Sequence, residues 1–92
     1  MRVLLVEDEA PLRETLAARL QREGFAVDTA CDGDEAVYMG KEVPFDVAIV
    51  DLGLPKLPGL EVVKKLREYG RRYPILILTA RGSWEDKVEG LK

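Results

Sequence analysis

Three short apolar runs constrain the fold of this 92-residue chain more than any other feature of its sequence. They are Val3–Val6, Val47–Val50 and Ile75–Leu78. Each run is apolar throughout and does not alternate with polar residues, which predicts strands buried on both faces. Such strands are typical of parallel sheets covered by helices on both sides, so the sequence predicts an α/β protein.

Helical periodicity separates the strands, and the two kinds of element alternate along the chain. Strands are predicted over Arg2–Val6, Phe25–Ala30, Phe45–Val50 and Ile75–Leu78, and helices between Pro11 and Gly24, from Asp32 to about Gly40, from about Leu60 to Tyr69, and from Ser83 onward. On the third helix we expect Leu60, Val63 and Leu66 to face inward. Four such units predict a doubly wound open sheet, because a closed barrel would need about twice as many.

Composition restricts the class of protein. The chain is 47% hydrophobic and 34% charged, and 17 acidic against 14 basic residues give a net charge of −3. These values are typical of one small globular domain. The negative net charge gives no basic surface of the kind that binds nucleic acid or an anionic membrane. No apolar run is long enough to cross a bilayer, so no membrane contact is predicted. One cysteine and no histidine argue against an internal disulfide or a zinc site and favour a cytoplasmic location.

Acidic residues follow two of the apolar runs directly. Glu7 and Asp8 follow the first strand, and Asp51 follows the third. In parallel sheets, functional sites lie just outside the carboxyl ends of the strands. If these strands are neighbours, three carboxylates crowd together and raise one another's pKa unless a cation joins them. Hard divalent cations, Mg²⁺ above all, prefer such oxygen-only sites.

Each acid also has an ordinary structural interpretation. Glu7 and Asp8 could simply precede the first helix, where negative charge is favourable near the helix dipole. Asp51 could begin a loop that is rich in glycine and proline. Lys56, in that loop, is predicted to point into solvent. The functional interpretation therefore depends on the acids occurring together.

The combined motifs resemble the receiver domain of two-component response regulators, over the whole chain. The resemblance is carried by Glu7 and Asp8, by the loop Asp51-Leu52-Gly53-Leu54-Pro55 with Gly59, and by Thr79-Ala80 after the fourth strand. The amino-acid sequences of these segments are similar to those of the OmpR/PhoB subfamily. The resemblance implies a flavodoxin-like (CheY-like) doubly wound parallel sheet of order 2-1-3-4 for the four strands.

The resemblance also implies roles for individual residues. Asp51 would be the phosphoacceptor for a sensor histidine kinase that docks near the first helix. Asp8, Asp51 and the backbone carbonyl of Gly53 would hold Mg²⁺ or Mn²⁺, with Glu7 acting through water. Two further residues would serve the phosphoryl group, Thr79 by contacting it and switching, and Ala80 by leaving room for it. The domain would signal and not act as a classical enzyme, with at most residual autophosphorylation.

The sequence departs from the family pattern in having no Lys-Pro dipeptide, which in receivers ends a fifth strand. We therefore expect residues 1–92 to be a partial receiver domain that ends after the fourth helix and lacks the fifth strand and fifth helix. DNA binding, usual for transcription regulators of this subfamily, would need a further domain. An alternative is a signalling-inactive fragment that forms homo-oligomers through the exposed edge of strand four.

Two other classes are disfavoured by the motifs. A hydrolase of the haloacid dehalogenase type uses Asp-x-Asp after its first strand, but Ala10 stands two residues after Asp8, and Gly53 two after Asp51. A dinucleotide-binding or P-loop domain needs a glycine-rich phosphate loop after the first strand, and the chain has none there.

Overall fold

The computed structural model describes residues 1–54 and 56–78. Its strands are β1 (Arg2–Val6), β2 (Ala26–Ala30), β3 (Val47–Asp51) and β4 (Ile75–Leu78), and its helices are α1 (Ala10–Arg22), α2 (Gly33–Glu42) and α3 (Gly59–Glu68). Strand and helix alternate as the sequence predicts. The helix predicted from Ser83 lies outside the described residues.

The described strands form one parallel sheet in the order β2-β1-β3-β4. This confirms the predicted doubly wound arrangement, with its switch point between β1 and β3. Val6 at the end of β1 pairs with Val50 near the end of β3. The residues that follow these two strands therefore emerge side by side at one edge of the sheet.

The central strands β1 and β3 are buried on both faces, as their apolar runs predict. The same prediction is wrong for Ile75–Leu78, because β4 is an edge strand among the described residues and its Leu76 is 40% exposed. Alternate residues of each strand point to opposite faces, so the sheet divides the core into two clusters. One cluster packs under α2 and α3 and contains Leu4, Val6, Ala48, Val50, Val62 and Leu66. The other packs under α1 and contains Val3, Leu5, Leu16, Leu20 and Ile49.

The inward face of α3 differs from the predicted one. Val62 and Leu66 are fully buried, whereas Leu60 is 64% exposed and Val63 is only partly buried. Residues six apart in an α-helix lie about 120° apart around the axis, so Leu60 and Leu66 cannot share one face. The buried stripe is Gly59, Val62 and Leu66, which follows the spacing of three and then four residues.

Local signals place the start of α2 and the end of α1 correctly, whereas α2 continues past the predicted end at Gly40 to Glu42. The Asp32 side chain accepts a hydrogen bond from the Glu35 N–H at 2.8 Å and so caps α2. Gly24, after α1, has φ 97°, a backbone conformation that favours glycine at a helix end. Within the described residues, no helix has the length and apolar character needed to span a membrane.

Candidate functional site

Three carboxylates meet at the carboxyl edge of the sheet. One oxygen each from Glu7, Asp8 and Asp51 lies within 4.8 Å of the others. Glu7 and Asp8 come directly after β1, and Asp51 is the last residue of the neighbouring β3. The parallel pairing of the two strands therefore brings together the acids that the sequence singles out.

Glu7 is the buried member of this group, with only 4% of the residue exposed. Its backbone N–H continues the β-type bonding by donating to the Ala30 carbonyl at 3.0 Å, which holds the residue in line with β1. The pKa of Glu7 is raised to about 7; burial is the largest cause, the Asp51 and Asp8 carboxylates add to the rise, and a hydrogen bond from the Glu9 N–H opposes it. A carboxylate in this position is stabilised either by a proton or by a cation.

Asp51 is partly buried and Asp8 is exposed, so the pocket opens to solvent on the Asp8 side. The Gly53 N–H donates to Asp51 Oδ1 at 3.3 Å, which leaves the second carboxylate oxygen, Oδ2, without a bond from this turn. Gly53 itself is exposed, with open space where a side chain would begin. The donor set consists of oxygens alone and includes a buried acid, which fits a hard divalent cation.

Gly59 controls how the next helix approaches this pocket. A Cβ atom at Gly59 would lie 2.6 Å from the Asp51 carbonyl oxygen and 3.0 Å from the Leu52 Cα. The Gly59 N–H also donates to the Leu52 carbonyl at 3.3 Å. Because only glycine fits against the backbone of Asp51, α3 can begin directly beside the strand that carries the acid.

Arg13 supports the acidic loop and was not found from the sequence. Its Nη1 donates to the Glu7 carbonyl at 2.8 Å and lies 3.4 Å from the Asp8 carbonyl. The first turn of α1 thus holds the backbone on which both acids are mounted. No local motif indicates this role, because it depends on how α1 is rotated against β1.

Lys56 does not simply point into solvent, as the sequence suggested. Its side chain is 63% exposed, but Nζ lies 3.6 Å from Asp32 Oδ2 at the start of α2. The reason is tertiary, since the loop after β3 folds back onto the neighbouring helix. Thr79 and Ala80 lie outside the described residues, so their roles stay predictions.

Comparisons with known proteins agree with this geometry. The response regulator receiver domain family matches residues 3–92. The two-component response regulator PhoP of Pseudomonas aeruginosa is 53% identical over 91 residues, which cover 99% of this chain and 40% of that protein. The chain therefore spans about two fifths of the length of this curated relative.

Solved structures give the same result. TrrA from Thermotoga maritima, in complex with Mg²⁺-BeF, is similar with a TM-score of 0.82 and 34% identity, over 98% of this chain and 78% of TrrA. A structure of the histidine kinase ThkA in complex with TrrA matches with a TM-score of 0.80 and 37% identity, over 90% of this chain and 72% of the matched chain.

Three features agree, namely the sheet order, the acidic pocket at its carboxyl edge and the sequence similarity to PhoP. The resemblance to the OmpR/PhoB subfamily is thereby confirmed. The chain belongs to the receiver domain family of two-component response regulators.

Proposed function

We propose that this chain accepts a phosphoryl group on Asp51 from the phosphohistidine of a sensor histidine kinase, with Mg²⁺ or Mn²⁺ as cofactor. The observation that carries the proposal is the cluster of Glu7, Asp8 and Asp51, whose oxygens lie within 4.8 Å of one another. Three carboxylates without a cation repel one another, so the arrangement is better suited to metal-assisted phosphoryl transfer than to structural support.

The residues of the pocket would divide the work as follows. An oxygen of Asp51 attacks phosphorus and forms the new O–P bond, while the P–N bond breaks and its electron pair stays on the imidazole nitrogen. The Gly53 N–H on Asp51 Oδ1 holds the carboxylate in one orientation. Asp8, Asp51 and the Gly53 carbonyl would hold the cation, and Glu7 would act through water. The bound cation supplies neutralisation of the phosphoryl charge.

Thr79 and Ala80 complete the proposed site. Thr79 would hydrogen-bond a phosphoryl oxygen of the product and move its loop toward it, and Ala80 would leave room for the phosphate. Such a loop, biased by a new charge, is the switching element that signalling domains commonly use.

The proposed partner is a sensor histidine kinase that docks near α1. The support is that α1 begins beside the acidic pocket, where Arg13 bonds the Glu7 carbonyl, and that the similar protein TrrA has been solved in complex with ThkA. In a longer protein the receiver would regulate transcription in the cytoplasm through a separate DNA-binding domain. For the regulation of transcription, the support is that a 51% identical relative is a transcriptional regulatory protein, PhoP of Escherichia coli.

Phosphorylation of the purified chain tests the proposal. With acetyl phosphate and Mg²⁺, intact mass should show the gain of one phosphoryl group that hydroxylamine removes, as expected of an acyl phosphate. Asp51→Asn should abolish the gain. Asp34→Asn, a matched change of an exposed aspartate in the first turn of α2, should leave it intact. Equal labelling of the Asp51→Asn protein would refute Asp51 as acceptor.

A second candidate property is self-association through β4. Among the described strands β4 forms one edge of the sheet, and its Leu76 is 40% exposed. An apolar strand at an edge offers unpaired backbone groups to another chain. Light scattering coupled to gel filtration should then show an assembly that Leu76→Lys dissolves. Leu60→Lys, at another exposed leucine, should not dissolve it. A monomer at every concentration would exclude this property.

A further inference from the structure

The loop between β3 and α3 rests on the start of α2. Lys56 Nζ lies 3.6 Å from Asp32 Oδ2, while the other oxygen of Asp32, Oδ1, accepts the Glu35 N–H at 2.8 Å. The pKa of the Asp32 carboxyl is lowered, first by the Glu35 N–H and also by the Lys56 ammonium. Asp32 therefore caps α2 and contacts the loop at the same time, with one oxygen for each task.

Lys56 adopts a backbone conformation that is unfavourable for its residue type. Its φ is 67°, and it is the one residue other than glycine with positive φ among residues 1–54 and 56–78. Side chains with a Cβ atom avoid this left-handed region, and residues other than glycine, asparagine and aspartate are uncommon there. Such a conformation persists only where the surroundings hold it, which indicates that contacts on either side of Lys56 fix the loop.

Leu57 provides a second contact with α2 that is independent of charge. A Cβ atom at Gly33, the first residue of α2, would lie 2.4 Å from the Leu57 Cβ and 2.4 Å from its carbonyl oxygen. The loop backbone therefore lies directly against the start of the helix. Leu57 also packs, partly buried, against the cluster under α2 and α3.

The two ends of the loop meet beside the acidic pocket. Gly59 lies against the Asp51 carbonyl, and its N–H bonds the Leu52 carbonyl at 3.3 Å. Gly53, between these anchors, is itself exposed and makes the bond to Asp51 Oδ1. The segment that carries Gly53 thus lies between contacts with β3 on one side and contacts with α2 on the other.

We propose that Asp32 and Lys56 are positioning residues for the cation site, because their ion pair holds the loop that carries Gly53 against α2. The inference rests on the proposed function, in which the Gly53 carbonyl is a ligand. An ion pair whose lysine side chain is 63% exposed is worth little in isolation. The Asp32–Lys56 ion pair acts by raising the fraction of molecules in which the loop has the conformation that the cation site requires.

Whether Lys56→Gln strengthens or weakens the binding of Mn²⁺ tests this proposal. Removal of a positive charge near an acidic pocket should tighten cation binding if the electrostatic field alone matters. Loss of the tether should instead weaken Mn²⁺ binding, by about two- to fivefold, the range that an exposed pair can supply. Lys56→Arg keeps the charge and should restore affinity. Lys64→Gln removes an exposed lysine from α3 and should not weaken binding.

Asp32→Asn provides the second single variant of a double-mutant cycle with Lys56→Gln. Asparagine is as good a helix N-cap as aspartate, so α2 should remain capped. The double variant Asp32→Asn with Lys56→Gln should bind Mn²⁺ no more weakly than the weaker single variant, because the two changes remove one shared contact. Additive losses, or tighter binding by Lys56→Gln, would overturn the proposal.

Amide hydrogen exchange without added metal separates the tether from the metal site. The Gly59 N–H reports opening of the loop through its bond to the Leu52 carbonyl. It should exchange about two- to fivefold faster in Asp32→Asn, in Lys56→Gln and in the double variant alike. If the parent protein bound no Mn²⁺, the proposed function would fail while this test still applied. Unchanged exchange in all variants would refute the tether itself.

Discussion

At the residue scale, burial distinguishes the three carboxylates of the pocket. Glu7 is 4% exposed, Asp51 is partly buried and Asp8 is exposed. Burial is the largest cause of the raised pKa of Glu7, ahead of the neighbouring charges of Asp51 and Asp8. In the sequence, Glu7 and Asp8 are adjacent acids after the same strand. In the structure, ionisation of the buried Glu7 is less favourable than in water, whereas Asp8 is exposed.

This difference predicts a pH dependence of stability. The pKa of Glu7 is about 7 in the folded protein against an ordinary value of 4.5. Below pH 4.5 the group is protonated in both states; as the pH rises toward 7, the unfolded chain gives up its proton more readily. In the presence of EDTA, the free energy of unfolding should therefore fall over this interval.

The Glu7→Gln variant should lose this part of the pH dependence. In urea unfolding, the free energy of unfolding of the variant relative to that of the parent protein should increase as the pH rises from 4.5 to 7. Glu14→Gln, at an exposed position of α1, serves as the control and should keep the parent profile. Identical profiles for all three proteins would contradict the burial argument.

Gly59 gives a second prediction at this scale. In Gly59→Ala the new Cβ would meet the Asp51 carbonyl at 2.6 Å, and backbone cannot yield as a flexible side chain can. We expect a loss of about 1–3 kcal/mol in the free energy of unfolding and weaker Mg²⁺ binding. Gly53→Ala meets open space and should be far less destabilising. Equal losses from both changes in thermal unfolding would argue against the close approach.

At the scale of elements, the buried stripe of α3 begins at Gly59, the first residue of the helix, and continues through Val62 and Leu66. Gly59 lies against β3, and this contact turns Val62 and Leu66 toward the sheet and Leu60 toward solvent. The end of α3 is held by a separate set of bonds. Arg67 Nη1 donates to the Tyr73 carbonyl at 2.8 Å, and the Tyr73 hydroxyl donates to the Gly40 carbonyl of α2 at 2.8 Å.

Two leucines of the same helix test this orientation. Leu66→Ala removes a fully buried side chain and should cost about 2–5 kcal/mol in the free energy of unfolding. Leu60→Ala, at a position 64% exposed, should change it by less than about 0.5 kcal/mol. Denaturant titration of both variants measures the difference. A loss at Leu60 as large as the loss at Leu66 would contradict the orientation seen in the structure.

At the scale of the whole molecule, the acidic pocket lies at one end of the strands and a second group of contacts joins the elements at the other end. The acids stand at the carboxyl edge, after β1 and β3. At the other edge the Arg2 N–H donates to Asp46 Oδ2 at 2.7 Å, and Tyr73 packs edge-on against Phe45 with 6.2 Å between ring centroids. The length of the strands separates these contacts from the pocket.

Cation binding should stabilise the whole fold through linkage. At a Mg²⁺ concentration of 100 times its dissociation constant, the gain in the free energy of unfolding is about 2.7 kcal/mol. Asp51→Asn should lose much of this gain and, by removing repulsion, should be more stable than the parent protein in EDTA. Asp34→Asn should behave as the parent. Melting temperatures that do not respond to Mg²⁺ would contradict the proposed metal site.

The sequence alone determined the alternation of elements, the parallel sheet and the acids at its carboxyl edge. These follow from local rules, because short apolar runs such as Val47–Val50 favour buried strands, and the carboxyl ends of neighbouring parallel strands meet at one edge. The ligand role of Gly53 and the roles of Thr79 and Ala80 stay predictions.

Only the tertiary structure decided which side chains the pocket and its loop depend on. The contacts of Arg13 with the acidic loop, of Lys56 with Asp32 and of Leu57 with Gly33 join residues from different elements. Their formation depends on the rotation of each helix and on how closely each loop approaches the next element. No periodicity or cap signal encodes those quantities, because they arise from packing across the whole core.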